Sequence, residues 1–231
     1  MNLAETIHRL EALANPEKII YKENRFGISA KNSLGIYHQD LKIIAKEIGR
    51  DSKLAQELFD TGIYEARILC SKIFRLNELT EELMEHWLQT FENWEICDSF
   101  SMALFAKSPF AVKKAVEWSN HKDEFCKRSA FSIIAAYCMA DKKATNKVFE
   151  DFLLIIERES TDDRLYVKKA VNWALRNIGK RNPDLHKSAI ATAQNLAGQS
   201  NSSAKWIGKN ALTELEKTTL RISDYPRSIY R

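Results

Sequence analysis

Trp94 and Asp98 stand four residues apart in the segment Asn93-Trp94-Glu95-Ile96-Cys97-Asp98. On a helix that spacing puts both side chains on one face. The face of an indole carries a negative quadrupole and a carboxylate carries a full charge, so the pair suits stabilisation of a developing cation. Taken alone, it also reads as a core anchor beside a surface acid. Trp173 is a second aromatic candidate, inside the helical pattern Tyr166 to Arg181, where a core role is the alternative. Arg128, in Phe125-Cys126-Lys127-Arg128-Ser129-Ala130, has the forked guanidinium that grips phosphate, or is an exposed helical arginine.

The elements that must position these residues announce themselves by repetition. Val112-Lys113-Lys114-Ala115-Val116-Glu117-Trp118 recurs 55 residues later as Val167-Lys168-Lys169-Ala170-Val171-Asn172-Trp173, identical at six of seven positions. The apolar residues of each copy form one helical stripe, with the paired lysines expected on the other side. A duplicated helix with one apolar face predicts stacked helical repeats. Lysines at equivalent places would then form a basic row suited to a polyanion.

Charge is distributed in the same sense. Residues 1–98 carry a net −5, whereas residues 99–231 carry +9. Basic pairs recur in the second half: Lys113-Lys114, Lys127-Arg128, Lys142-Lys143, Lys168-Lys169 and Lys180-Arg181, all expected at helix starts. One such pair is an ordinary solvated face. Five in one half favour a nucleic-acid surface.

Seven glycines and four prolines in 231 residues are few turn-makers, which suits long helices and short loops. The periodicity is helical almost throughout. The expected helices begin with Leu3–Leu13. Asn15-Pro16-Glu17 then reads as a cap followed by a first turn. Residues 27–35 form an irregular loop, followed by helices over 37–49 and 52–60, the latter capped by Asp51 or Ser52. Further helices cover 63–76, a segment opened by Thr80-Glu81-Glu82, and 91–106. Pro109 is placed in a first helical turn, and helices follow over 110–119, 122–140 and 144–158. Ser160-Thr161-Asp162-Asp163 reads as a capping box for the helix carrying Trp173. Asn182-Pro183 starts the next helix, and a last one covers 204–220, with 221–231 as a tail. The fold class expected is all-α: an α-solenoid of about a dozen helices in HEAT-like repeats with a concave basic face, one domain over 1–231.

Other chemistries find no support. The four cysteines (Cys70, Cys97, Cys126, Cys138) sit in apolar helical patterns without a Cys-x-x-Cys pair and read as buried thiols. The five histidines are scattered, no metal-ligand spacing occurs, and there is no glycine-rich phosphate loop, so neither metal nor cofactor is expected. No apolar run is long enough for a membrane span, and the N-terminus lacks a signal-peptide pattern. A cytoplasmic protein is expected.

Taken together, Trp94-x-x-x-Asp98, Lys127-Arg128-Ser129-Ala130 and Val167-Lys168-Lys169-Ala170-x-x-Trp173-x-Leu175-Arg176 followed by Lys180-x-Asn182-Pro183 resemble the bacterial AlkD-type DNA alkylation repair proteins. These are glycosylases built from HEAT-like helical repeats. The resemblance runs from about Tyr21 to at least Leu215. It implies a concave face that cradles duplex DNA and a lesion that is a purine alkylated at N3 or N7. Such a base is cationic and leaves without being protonated. The enzyme has to stabilise the positive sugar and admit water, and it does not need to flip the base. The resemblance makes Asp98 the catalytic carboxylate and packs Trp94 and Trp173 against the deoxyribose. It gives Arg128 a phosphate near the lesion and makes Tyr21 a DNA contact. The basic row adds Lys127, Lys168, Lys169, Arg176, Lys113 and Lys114 as DNA-binding residues. Two departures stand out: Glu95 occupies a position where the family has Asp, and the Gly27–Gly35 loop is longer.

The function expected is therefore a monofunctional hydrolase that excises cationic alkylpurines from double-stranded DNA, acting as a monomer. Two other readings remain: a non-catalytic solenoid that binds damaged or branched DNA, and a protein-interaction scaffold.

Overall fold

The computed structural model describes residues 1–218. The expectation for the 221–231 tail lies outside the described residues, and the last helix, expected to run to 220, ends at Leu215. Among those residues the protein is all-helical, with thirteen α-helices, two short 3₁₀ turns and no strand. None of these helices is long and apolar enough to cross a membrane. By its contacts the chain divides into two compact units, Met1–Ser108 and the part from Pro109 onward.

The first unit holds α1 (Leu3–Glu11), α2 (Pro16–Phe26), α3 (His38–Ile48), α4 (Ser52–Asp60), α5 (Tyr64–Ile73), α6 (Glu81–Leu88) and α7 (Trp94–Ala103). Their starts follow from local sequence. Asn15 caps α2 with Pro16 in its first turn, Asp51 caps α4 and Thr80 caps α6. Each cap gives an oxygen to a backbone N–H that the helix cannot satisfy itself. The core is aromatic. Trp87 of α6 is 1% exposed, with Phe74, Phe100 and Phe59 at 5.1, 5.2 and 5.7 Å between ring centroids. Phe100 belongs to α7, so this cluster holds α7, whose Ile96 and Cys97 are also fully buried. Each such side chain contributes roughly 1.5–3 kcal/mol by burial.

The irregular segment after α2 is held firmly. Gly27 ends the helix in a left-handed conformation at φ 64°, where a side chain would be strained. The buried carboxylate of Glu65, on α5, then accepts from the Ser33 hydroxyl at 2.8 Å. It also accepts from the backbone N–H groups of Leu34, Gly35 and Ile36 at 2.8, 2.9 and 3.2 Å. The Asn93 side-chain amide donates to the Ser29 carbonyl at 3.1 Å. This loop, read from the sequence only as irregular, therefore connects α5 to the start of α7.

The second unit holds α8 (Ala111–Trp118), α9 (Glu124–Ala140), α10 (Asn146–Glu159), α11 (Leu165–Gly179), α12 (Pro183–Gly198) and α13 (Ser202–Leu215). α9 is buried on nearly every side and packs against α8 and α11, which makes it the central helix of this unit.

Three sequence expectations are corrected here. Pro109 is not in a first helical turn: α8 starts at Ala111 with Phe110 as its cap, and Pro109 lies in the turn before it. Its fixed φ serves that turn equally well. Ser160–Asp163 does not cap α11. The Ser160 hydroxyl donates back to Glu157 O at 2.7 Å, Asp162 is drawn into ion pairs, and Arg164 stands at the cap position without a side-chain capping bond. Two of the five basic pairs sit after helices rather than at their starts: Lys142-Lys143 follow α9 and Lys180-Arg181 follow α11. Arg181 is 1% exposed and donates to the carbonyls of Cys138, Asp141 and Ala144, where cations suit the negative end of a helix.

The duplicated heptapeptide folds as helix in both copies, but the copies are buried differently. In α8, Trp118 is 3% exposed and Val116 is 43% exposed. In α11, Val171 is fully buried and Trp173 is half-buried. Lys114 is 5% exposed, paired with Glu117 at 2.9 Å and lying over the Trp118 ring, whereas its counterpart Lys169 is exposed. The paired lysines do not all project outward as the pattern predicts, because the neighbouring helices differ.

Candidate active site

α7 begins where Asn93 stops the chain from continuing helically backwards. The Asn93 side-chain oxygen accepts from Glu95 N at 2.9 Å and Ile96 N at 3.2 Å. Trp94 and Asp98 are therefore one turn apart at the start of the helix, on one face as their spacing predicts. Both are half-buried. The Trp94 indole N–H donates to Phe26 O, the last carbonyl of α2, at 2.9 Å. That bond fixes the orientation of the ring. A Trp94→Phe variant keeps the apolar ring and loses the bond, and should cost about 1 kcal/mol in urea unfolding. Unchanged stability would show that α2 does not hold the indole.

Glu95, between the two candidates, turns inward and is 8% exposed. Its carboxylate pairs with Lys22 at 2.7 Å and with His38 Nε2 at 3.3 Å. The Tyr64 hydroxyl lies 2.9 Å from both Glu95 Oε2 and Asn93 Oδ1, and its single proton serves one of them at a time. Burial pushes the Glu95 carboxyl up, but His38 and Lys22 together outweigh it and hold the group down at about 2. Burial and the Glu95 charge raise the Tyr64 hydroxyl well above its usual range. The position that departs from the family pattern is thus a buried hub joining α2, α3, α5 and α7.

Trp94, Asp98 and Glu95 line one cavity of about 410 Å³ with His38, Lys42, Lys72, Ser99, Met102 and Ala103. Burial and the nearby Lys42 lower the Lys72 ammonium to about 8, against an opposing pull from Glu95. Sequence reading missed Lys22, His38, Lys42 and Lys72. The four-residue spacing of His38 and Lys42 on α3 was a legible signal, whereas nothing local marks Lys72. Tyr21, on α2, is 50% exposed and meets Phe26 edge-on at 5.7 Å, beside the carbonyl that holds Trp94.

The remaining candidates lie in the second unit. Arg128, 6% exposed, donates to Tyr166 O at 2.7 Å and so ties α9 to α11, the helix that carries Trp173. Lys127 is 8% exposed and bridges Glu159 and Asp162, the latter at 2.9 Å. Burial raises the Asp162 carboxyl, but Arg164 and Lys127 override it and bring it to about 2. Lys127 and Lys114 are therefore internal ion-pair partners rather than members of a surface row, because acidic groups from their own unit reach them first. Arg176 pairs with Glu214, as does Lys180. Lys113 and Lys169 are exposed, and Lys168 lies 5.3 Å over the ring of Trp206.

Among the described residues no three His, Cys, Asp or Glu side chains gather as a metal site would require. All four cysteines are buried free thiols.

Comparison with known proteins gives the family and the fold. The family model described as DNA alkylation repair enzyme matches residues 6–215. A solved structure described as "a new family of proteins related to the HEAT-like repeat DNA glycosylases with affinity for branched DNA structures" is similar in fold. Its TM-score is 0.74 at 20% identity, over 97% of this chain and 99% of that one. A second, described as an engineered protein, has a TM-score of 0.39 at 15% identity, over 78% of this chain and 92% of the other, and carries no argument. No curated protein matches. The chain has the HEAT-like repeat fold and belongs to the DNA alkylation repair enzyme family.

Proposed function

We propose that the protein is a DNA glycosylase that hydrolyses the N-glycosidic bond of cationic alkylated purines, N3-alkyladenine and N7-alkylguanine, in duplex DNA. The observation that carries this reading is the pairing of Trp94 and Asp98 at one cavity, on a helix fixed by Asn93, Phe26 O and the buried Glu95 hub. A base that already bears a positive charge is a good leaving group. As its bond to C1′ stretches, positive charge moves onto the sugar, as in glycoside hydrolysis. The Asp98 carboxylate opposes that charge, and the Trp94 ring offers an apolar face with a negative quadrupole. Water then adds at C1′ and gives up one proton to solvent, which leaves an abasic site and the neutral free base. In this reading Trp173 also packs against deoxyribose. Arg128, Lys168, Lys169, Arg176, Lys113 and Tyr21 contribute to holding the strand, and duplex DNA is the partner of a monomer.

A second reading is favoured by the described affinity of the similar structure for branched DNA: binding without base release. The two separate in one experiment, in which free base is measured from duplex DNA carrying N7-methylguanine and DNA binding is measured in parallel. Release well above the spontaneous rate is expected. Tight binding with no release would overturn the glycosylase reading in favour of the second.

A further inference from the structure

Lys42 and Lys72 are two cations of the first unit that line one cavity. Lys22 is paired with Glu95, Arg67 with Glu92 and Arg9 with Glu47. Among the described residues, neither Lys42 nor Lys72 has an ion-pair or hydrogen-bond partner for its ammonium. Both line the Trp94–Asp98 cavity, Lys42 from α3 and Lys72 from α5. Lys42 is exposed and Lys72 is half-buried.

Two like charges in one partly enclosed cavity repel each other, and the effect is visible in Lys72, whose affinity for its proton is reduced by burial and by Lys42. The buried carboxylate of Glu95 offsets it only in part, being engaged by Lys22, His38 and Tyr64. Such a pair is stabilised when an anion arrives between the two ammonium groups. The other linings restrict which anion that is. Asp98 and Glu95 border the same cavity and oppose a dianion more than a monoanion. Trp94, Met102 and Ala103 provide apolar surface for a group such as a sugar.

Resting on the glycosylase reading, we propose that Lys72 and Lys42 form a subsite for a phosphodiester of the lesion-bearing strand. A phosphodiester carries one charge and is joined to an apolar-faced deoxyribose. If Trp94 and Asp98 address the sugar of the lesion, the nearest anion on that strand is the phosphate attached to that sugar. Lys72 then sets how far the sugar enters the cavity, as a positioning residue that does not touch the breaking bond.

The test uses the full chain and duplex oligonucleotides containing a tetrahydrofuran abasic-site analogue. Single uncharged methylphosphonate linkages replace, one at a time, the phosphates flanking the analogue. Dissociation constants are measured for wild type, Lys72→Met and Lys42→Met, with folding checked by circular dichroism. Methionine keeps the apolar stem of lysine, and Lys42, being exposed, provides a variant that leaves packing untouched. Each variant should bind about 5–10-fold more weakly, with the salt slope reduced by about one. A methylphosphonate at one flanking linkage should weaken wild type at least as much, and should weaken Lys72→Met clearly less than it weakens wild type. Losses that multiply at every linkage, or variants that bind as wild type, would overturn the subsite. Base release from N7-methylguanine duplex is measured with the same proteins. Release by wild type without the lysine–linkage coupling sinks the subsite alone. Coupling without release sinks the glycosylase reading alone.

Discussion

In an Asp98→Asn variant the single-turnover rate of N7-methylguanine release should fall by about 10²–10³-fold, the usual cost of removing one electrostatic stabiliser of a transition state. Duplex affinity should change far less, by no more than about threefold, because the interaction is strongest when the sugar carries charge. Asparagine keeps the size and most of the hydrogen-bonding capacity of aspartate at this half-buried position on α7. Only the charge is removed. A melting curve matching wild type would establish that the helix is undisturbed. A folded variant that releases base at the wild-type rate would remove Asp98 from the reaction and leave Trp94 without its partner.

The second large effect is on stability. Glu95→Gln should destabilise the first unit by about 3–5 kcal/mol, since it leaves the Lys22 ammonium buried without its counter-charge. The wild-type hub also predicts a pH window. The Glu95 carboxyl is held at about 2 in the folded protein against an ordinary 4.5. A depressed carboxyl contributes its stability in full above the unfolded value, and that contribution declines as pH falls from about 4.5 to about 2. The linkage amounts to about 3 kcal/mol. Urea unfolding at pH 7 and at pH 3 measures both effects. Wild type should lose stability between these conditions, and the Gln variant should lose correspondingly less. Equal losses in both proteins would mean that other carboxylates govern the acid transition. Because Glu95 adjoins Trp94 on α7, the variant should also release base more slowly than wild type.

Local chemistry was the most legible part of this chain. Asn15-Pro16, Asp51, Thr80 and Asn182-Pro183 mark helix starts because their side chains act on N–H groups two or three residues away. The Trp94–Asp98 pairing was legible for the same reason, since a four-residue spacing fixes a shared face whatever the helix packs against. What failed depended on partners distant in sequence. Ser160–Asp163 has the composition of a cap, but Ser160 turns back to Glu157 O and Asp162 is shared by Arg164 and, from α9, Lys127. Lys114 and Lys169 occupy equivalent places in a repeated heptapeptide, yet one is buried and the other exposed, because their environments differ rather than their sequence. From the sequence Glu95 stood out only as a departure from the family pattern, with no role attached to it. Its role arises only where α2, α3 and α5 bring Lys22, His38 and Tyr64 to it. Lys72 carries no local sign at all, and its interest lies in an ammonium that forms no ion pair among the described residues while lining the cavity of Asp98.

The loop between α2 and α3 has a practical consequence. Its attachments fall on Ser29, Asn32 O and Ser33–Ile36, which are bound by Asn93, Tyr64 N and Glu65. The Lys31 side chain at its tip is exposed and takes part in none of these bonds. A cysteine-linked fluorophore or a short inserted tag at that tip would sit on an anchored base that leads directly to α7. It would provide an optical reporter beside the helix of Trp94 and Asp98 without occupying the cavity itself.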